Sequence, residues 1–322
     1  MGFLLKQDYE KAFLAYKEKR FSDALIILYD LAARNHPPSK WLLGRMHALG
    51  EGLETNPRRA AELLTESGSA GFTFAQVQLA WLFIDTLGEP ELGIKTLKAA
   101  ADNGYPIAQN DLGQLFYAGD IVPADPELAI KYLTDAAENA EINAQLTLGR
   151  IYSTSDFISA DFTKSLYFNT LAAEAGEPKG YFNVAGLFLE GQGVDQNLEK
   201  GVEWLQKAAN AGLNQARVNL GAIYADKILG QPDYDKSLFW YTQAAKDNDP
   251  IAQLSLGLMY FHGQGIEKEP QTALMWMFLA HDNGNDKAKD FIEELSELVS
   301  DEEYEKAKWL ALEAYESDYD NF

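Results

Sequence analysis

Residues 252–284 read AQLSLGLMYFHGQGIEKEPQTALMWMFLAHDNG, and this stretch decides the fold. Apolar residues recur at helical spacing twice, first as Ala252, Leu256, Met259 and Tyr260, then as Ala273, Trp276, Met277 and Ala280. Between them, Gly263-Gln264-Gly265-Ile266 offers positive φ at a turn and then an apolar anchor. Glu269-Pro270 follows as an N-cap residue with proline at the first helical position. The stretch is a helical hairpin, closed by Asn283-Gly284.

The same hairpin recurs along the chain. The motif Ala-x-x-x-Leu-Gly occupies residues 108–113, 144–149, 216–221 and 252–257, with weaker copies at 39–44, 75–80 and 180–185. Its sixth position runs 44, 80, 113, 149, 185, 221, 257, in steps of 36, 33, 36, 36, 36 and 36. A second column is a small pair before a turn, as in Ala100-Ala101, Ala136-Ala137, Ala172-Ala173, Ala208-Ala209 and Ala244-Ala245. A third is aromatic: Tyr132, Phe168, Trp204, Trp240 and Trp276. Three columns in one register define a real repeat. The prolines agree with it: Pro57, Pro90, Pro126 and Pro270 share the start of the second helix, and Pro38, Pro106, Pro178 and Pro250 share the turn between repeats. None falls in a helix interior, where each would cost about 3 kcal/mol. Small residues at the sixth position let the paired helices approach closely.

Ala-x-x-x-Leu-Gly-x-x-Tyr-x-x-Gly-x-Gly, then Trp-x-x-x-Ala-Ala and a glycine turn, resembles the Sel-one-like repeat, a family of α/α solenoids related to tetratricopeptide arrays. The resemblance covers residues 39–284 as seven repeats and is best at 180–212 and 252–284. It implies an all-α chain, a right-handed α/α superhelical solenoid of about 36-residue helix-turn-helix repeats. The expected organisation is a degenerate helical hairpin over 1–38, seven repeats over 39–285, a capping hairpin over 286–316 and an acidic tail over 317–322. The last pair begins with a capping box, Ser300-Asp301-Glu302-Glu303. Three loops depart from the pattern: Asp85 to Pro90 is three residues short, Ser153-Thr154-Ser155-Asp156-Phe157 replaces Gly-x-Gly, and so does Lys227-Ile228-Leu229-Gly230.

Composition limits the chemistry. The chain has 322 residues, 47% apolar and 24% charged, with a formal net charge of −22 and no cysteine. Disulfides, cysteine-ligated zinc, iron–sulfur centres and cysteine nucleophiles are thereby excluded. Such a charge repels phosphate backbones and anionic lipid, and no basic patch offsets it, so neither nucleic acid nor membrane is an expected partner. The apolar run Phe3-Leu4-Leu5 is far shorter than the roughly 7–15 residues of a secretory core, and no window reaches the ~18 apolar residues of a membrane span. A cytoplasmic location is expected, or a periplasmic or secreted one had a leader been trimmed.

Catalytic signatures are missing. His36, His47, His262 and His281 share no i, i+4 face or close motif, which argues against a histidine-ligated metal. His47 and His281 occupy repeat columns and are expected to pack; His262 lies at a more open place. The 49 carboxylates make adjacent pairs commonplace, and no Gly-x-Ser-x-Gly elbow occurs. No enzyme activity, metal or cofactor is expected.

Repeating positions serve structure, so function is sought where equivalent positions differ. In tetratricopeptide-like arrays the first helices line a concave face. Three residues after the repeat alanine stand Gln78, Asp111, Thr147, Asn183, Asn219 and Ser255, polar but not identical; seven further on come Asp85, Glu190, Asp226 and His262. These columns are expected to line a groove for a peptide or a partner helix. Trp81 breaks its own column and is the one candidate for an exposed aromatic there. Residues 1–36 carry a net charge of +1 and residues 286–322 carry −9, leaving −14 between them, a field that steers basic partners in a salt-dependent way. The resemblance implies a non-catalytic scaffold or adaptor binding a protein partner, basic or peptide-like, in a bacterial setting. The alternatives are an inhibitor or immunity protein neutralising one toxin or enzyme, and a module for a small ligand or glycan. A nanomolar grip on a single partner distinguishes the inhibitor from the adaptor.

Overall fold

The computed structural model describes residues 2–154 and 158–316, so the substituted loop Ser155-Asp156-Phe157 and the tail 317–322 lie outside the described residues. All regular structure among the described residues is helical, and the chain is an α/α solenoid. It divides into two compact halves, Met1–Ile158 and Ser159–Phe322, each described by itself. The N-terminal half contains α1 (Gly2–Lys17), α2 (Phe21–Ala33), α3 (Pro37–Leu49), α4 (Pro57–Ser69), α5 (Thr73–Trp81), α6 (Pro90–Asp102), α7 (Pro106–Ala118), α8 (Pro126–Glu138) and α9 (Ile142–Ser153). The C-terminal half contains α10 (Phe162–Glu174), α11 (Pro178–Glu190), α12 (Leu198–Asn210), α13 (Asn214–Ala225), α14 (Tyr234–Lys246), α15 (Pro250–His262), α16 (Pro270–Asp282), α17 (Ala288–Ser296) and α18 (Asp301–Glu316). Within each half, consecutive helices pack on one another as far as α17, and α18 folds back onto α16.

The repeat columns explain this packing. The small sixth position of each first helix meets the second helix about twenty residues on. A Cβ built on Gly44, Gly113, Gly221 or Gly257 would stand 2.9, 2.7, 2.6 or 2.8 Å from Leu64, Leu133, Tyr241 or Met277 respectively. The approach is reciprocal, since Ala60, Ala129, Ser237 and Ala273 on the second helices are also small and fully buried. Ser237 Oγ donates to the Gly221 carbonyl at 2.8 Å, which satisfies a hydroxyl at the tightest part of that contact.

The second helices start where the sequence places their caps. Asn56, Asp125, Asp161, Asn197 and Asp233 each accept the backbone N–H three residues on, at 2.9 to 3.1 Å. Glu89 and Glu269, in the same column, make no such side-chain cap. The capping box before α18 forms in both directions: the Glu303 carboxylate accepts from Ser300 N at 2.8 Å, and Glu303 N donates to Ser300 Oγ at 3.3 Å. Gly193 is required twice over, by φ of +71° and by a Cβ position only 2.4 Å from the Phe162 carbonyl.

A further column joins neighbouring repeats. The residue after the repeat alanine turns its side-chain N–H back to a carbonyl eight residues earlier, in the last turn of the preceding helix. Gln76 donates to Gly68 O (3.3 Å), Gln109 to Ala101 O (3.2 Å), Gln145 to Ala137 O (3.1 Å), Gln253 to Ala245 O (3.2 Å), and Arg217 Nε to Ala209 O (3.4 Å). Gln253 also accepts from Asn283 Nδ2 at 3.0 Å.

Two sequence expectations need correction. His281, in the buried alanine column, leaves its side chain 45% exposed, because short α17 rather than a full first helix follows it. The aromatic column is uneven: Trp276 is buried, whereas Trp204 and Trp240 are only partly covered. In the short second repeat, α5 ends at Trp81 and the chain continues as a π-helical turn, Leu82–Thr86. Its wider winding shifts the register by one residue, so Asp85 does not share the helical register of Glu190 and His262.

Candidate functional site

The polar column on the first helices is half-buried throughout, and most of it is engaged in hydrogen bonds, three between helices and two within a helix. Gln78 Oε1 accepts from Trp41 Nε1 at 2.7 Å, and Asp111 Oδ2 accepts from Trp81 Nε1 at 2.8 Å. In the C-terminal half, Asn183 donates to Asn169 Oδ1 (2.8 Å), Asn219 accepts from Gln215 (3.2 Å), and Ser255 Oγ donates to the Ile251 carbonyl (2.8 Å). Small polar groups on a helix settle their bonds with the nearest turn. The second column is exposed: Asp85 in the π turn, Glu190 and His262 on the last helical residues, and Asp226 just beyond α13 with an extended backbone. Asp226 Oδ1 takes the N–H of Lys227, and the His262 ring lies 4.8 Å from that of Phe261.

The structure brings together two of the ten, Asp111 and Thr147. They share an open pocket of about 360 Å³ on the faces of α5, α7 and α9, lined also by Trp81, Gln114, Tyr117 and Arg150, with Asp120 and Ile121 at its α7 end. Sequence reasoning named Trp81 but missed Gln114, Tyr117 and Arg150. The signal was available one helical turn beyond the polar column, at the residue directly after the small sixth position. That position holds Arg45, Trp81, Gln114 and Arg150 in the N-terminal half, then Gly186, Ala222 and Leu258. A Cβ on Gly186 would meet nothing within 4 Å, so packing does not enforce the glycine.

The pocket's polar groups are arranged in two sets. Asp111 accepts from Trp81 and, through Oδ1, from Asn110 Nδ2 at 3.1 Å; burial of the carboxyl pushes its pKa up from 3.8 despite both bonds. Arg150 forms the second set. Its Nη1 donates to Tyr117 Oη at 3.0 Å, with the guanidinium carbon 5.0 Å from the ring centroid. The π turn follows immediately after Trp81, so the altered winding abuts the residue that clasps Asp111. These groups suit recognition of an apolar and polar surface. Among the described residues no group of three or more His, Asp or Glu side chains could hold a metal ion, and no helix is long and apolar enough to cross a membrane.

A model of the Sel1 repeat matches residues 37–72, 106–140, 142–177, 178–213, 215–249 and 250–285. The chain belongs to the Sel1 repeat family. The stretch between the first two matches holds the shortened repeat and its π turn, which accounts for six matches where the columns give seven repeats. Among solved structures, a Sel1 repeat protein from Oxalobacter formigenes is 25% identical, covers 90% of this chain and 87% of its own, and superposes with a TM-score of 0.72. The protective antigen c5321 of uropathogenic Escherichia coli, with an SLR fold, is 21% identical, covers 98% of this chain and 85% of its own, and has a TM-score of 0.58. No curated protein sequence matches. Sel1 repeats mediate protein–protein interaction.

Proposed function

We propose that this protein is a non-catalytic interaction scaffold that receives a segment of a protein partner on the first-helix face of α5, α7 and α9. One observation carries the reading. The position after the small column holds Trp81, Gln114 and Arg150 where it lines the pocket, and Arg45, Gly186, Ala222 and Leu258 in the other repeats. Gln114 and Arg150 are exposed and surplus to hairpin packing, and Trp81 packs against the core beneath it while also lining the pocket. The net charge of −22 favours a basic partner. A photo-crosslinking residue in place of Gln114, exposed at the pocket, is expected to capture one dominant protein in the native host. The same residue at Glu203, exposed on α12, serves as the control. Equal capture patterns from both positions would end this reading.

A further inference from the structure

We propose that the pocket between α5, α7 and α9 is a receptor for a basic side chain, arginine or lysine, held by the Asp111 carboxylate beside the Trp81 ring. The inference deepens the scaffold reading and rests on it.

The charge of Asp111 is not needed to accept an indole N–H. In the same column one repeat earlier, the neutral amide oxygen of Gln78 accepts Trp41 Nε1 at 2.7 Å against 2.8 Å here, although Trp41 stands one helical turn earlier on its helix than Trp81 does. The rest of its column is neutral: Gln78, Thr147, Asn183, Asn219 and Ser255. Asp111 is therefore the one charged member, placed where a neutral residue performs the same structural task.

That charge is also uncompensated. A carboxylate offers about four lone-pair sites, and Asp111 fills two of them with neutral donors, Trp81 Nε1 and Asn110 Nδ2. Two other sheltered charges are paired, Lys40 with Glu66 at 2.7 Å and Arg217 with Asp247. The nearest cation of the pocket, Arg150, is held on Tyr117 and makes no ion pair with Asp111. A desolvated anion bonded only to neutral donors is costly to keep, and a cation entering the pocket relieves that cost.

The surroundings match such a guest. The Trp81 ring lines the same cavity, where a cation gains from an aromatic surface. Gln114 and Thr147 add side-chain oxygens for the remaining N–H groups of a guanidinium, and exposed Asp120 adds a second negative charge at one end. Carboxylates outnumber the pocket's single cation, within a chain of net charge −22.

The test uses the full chain, with acetyl-Gly-Arg-Gly-amide and its Lys, Glu and norleucine counterparts as probes. The reporter is the Trp81 indole N–H resonance, identified by its loss in Trp81→Phe. The Arg and Lys probes are expected to shift it in a saturable way. Their affinity should fall at least about tenfold in Asp111→Asn, and fall again as salt is raised from roughly 0.05 to 0.5 M. A melting temperature for Asp111→Asn at or above that of the parent chain shows that the variant is folded. Binding of the Glu or norleucine probe with equal strength, unchanged Arg binding in Asp111→Asn, or no shift with any probe would each overturn the proposal. Specific crosslinking from Gln114 with no response to the Arg probe would leave the scaffold reading standing and remove only the basic guest. Arg binding without crosslinking would do the reverse.

Discussion

Gly221 and Tyr241 give the sharpest test of the packing register. A Cβ added at Gly221 would lie 2.6, 2.7 and 2.8 Å from Tyr241 Cδ1, Cε1 and Cγ. Favourable carbon contacts lie at about 3.5–4.0 Å, so three atoms of a flat ring overlap the new methyl by roughly 1 Å. The ring is only 7% exposed and has little room to turn. Overpacking of this kind costs about 1–3 kcal/mol. Against it stands the gain of about 1 kcal/mol for replacing a helical glycine by alanine. Gly221→Ala is therefore expected to destabilise the C-terminal half by about 1 kcal/mol. The equivalent pair one repeat earlier is Ala185 with Leu205, both in one buried cluster, which shows that alanine is accommodated when a flexible leucine faces it. In a Tyr241→Leu background the same Gly221→Ala change should stabilise by about 1 kcal/mol, a coupling of about 2 kcal/mol. Urea unfolding of the four chains, followed by circular dichroism, measures it. Additivity to within about 0.5 kcal/mol would refute the register that places Tyr241 over Gly221.

Other perturbations follow from the same contacts. Ala140 holds φ of +61° at a turn where Gly104 and Gly176 hold +80° and +87°, so Ala140→Gly is expected to add about 0.5–1 kcal/mol, read as a higher urea midpoint. Gln253→Leu removes one of the bonds to the buried Ala245 carbonyl, which keeps the Asn248 N–H, together with the bond from half-buried Asn283, and should cost about 1–2 kcal/mol, whereas Asn219→Ala, whose bond is local, should stay within about 0.5 kcal/mol. Asp111→Asn removes a charge that burial penalises. Because the folded-state pKa is raised, the penalty is fully present above that pKa and disappears as pH falls through it toward 3.8; the variant should melt higher than the parent at pH 7 and lose its advantage in acid.

The sequence displays the hairpins because every repeat solves one packing problem in one register. Gly113 over Leu133 and Gly257 over Met277 are the same contact at a distance of four repeats, and the N-cap column marks each second helix independently. Three features escaped this reading for physical reasons. The glutamine column carries inter-repeat bonds, but a buried glutamine and a surface glutamine look alike until the carbonyl eight residues back is seen to lie within its reach. The π turn after Trp81 compensates a loop three residues short, and several windings could have absorbed that deficit. His281 lies open because the next helix is short, a property of its neighbour and not of its own position.

The candidate pocket was half visible for a related reason. Variation between equivalent positions drew attention to Gln78, Asp111 and Thr147, yet polarity alone does not separate a side chain that binds a guest from one that bonds to its own helix. Ser255 and Asn219 are polar for the second reason. What separates Asp111 is a comparison within its column: Gln78 and Asp111 each accept an indole N–H, from Trp41 and Trp81 one helical turn apart in register, and only Asp111 places a charge in a desolvated site. Repeat proteins carry such internal controls, since each hairpin is a near copy of its neighbour under the same packing constraints. A residue that departs from its copies and makes the local structure less stable needs a compensating gain from outside the chain. By that criterion Asp111, with Trp81 against it and Arg150 bonded to Tyr117, is the position at which the proposed basic guest is to be tested first.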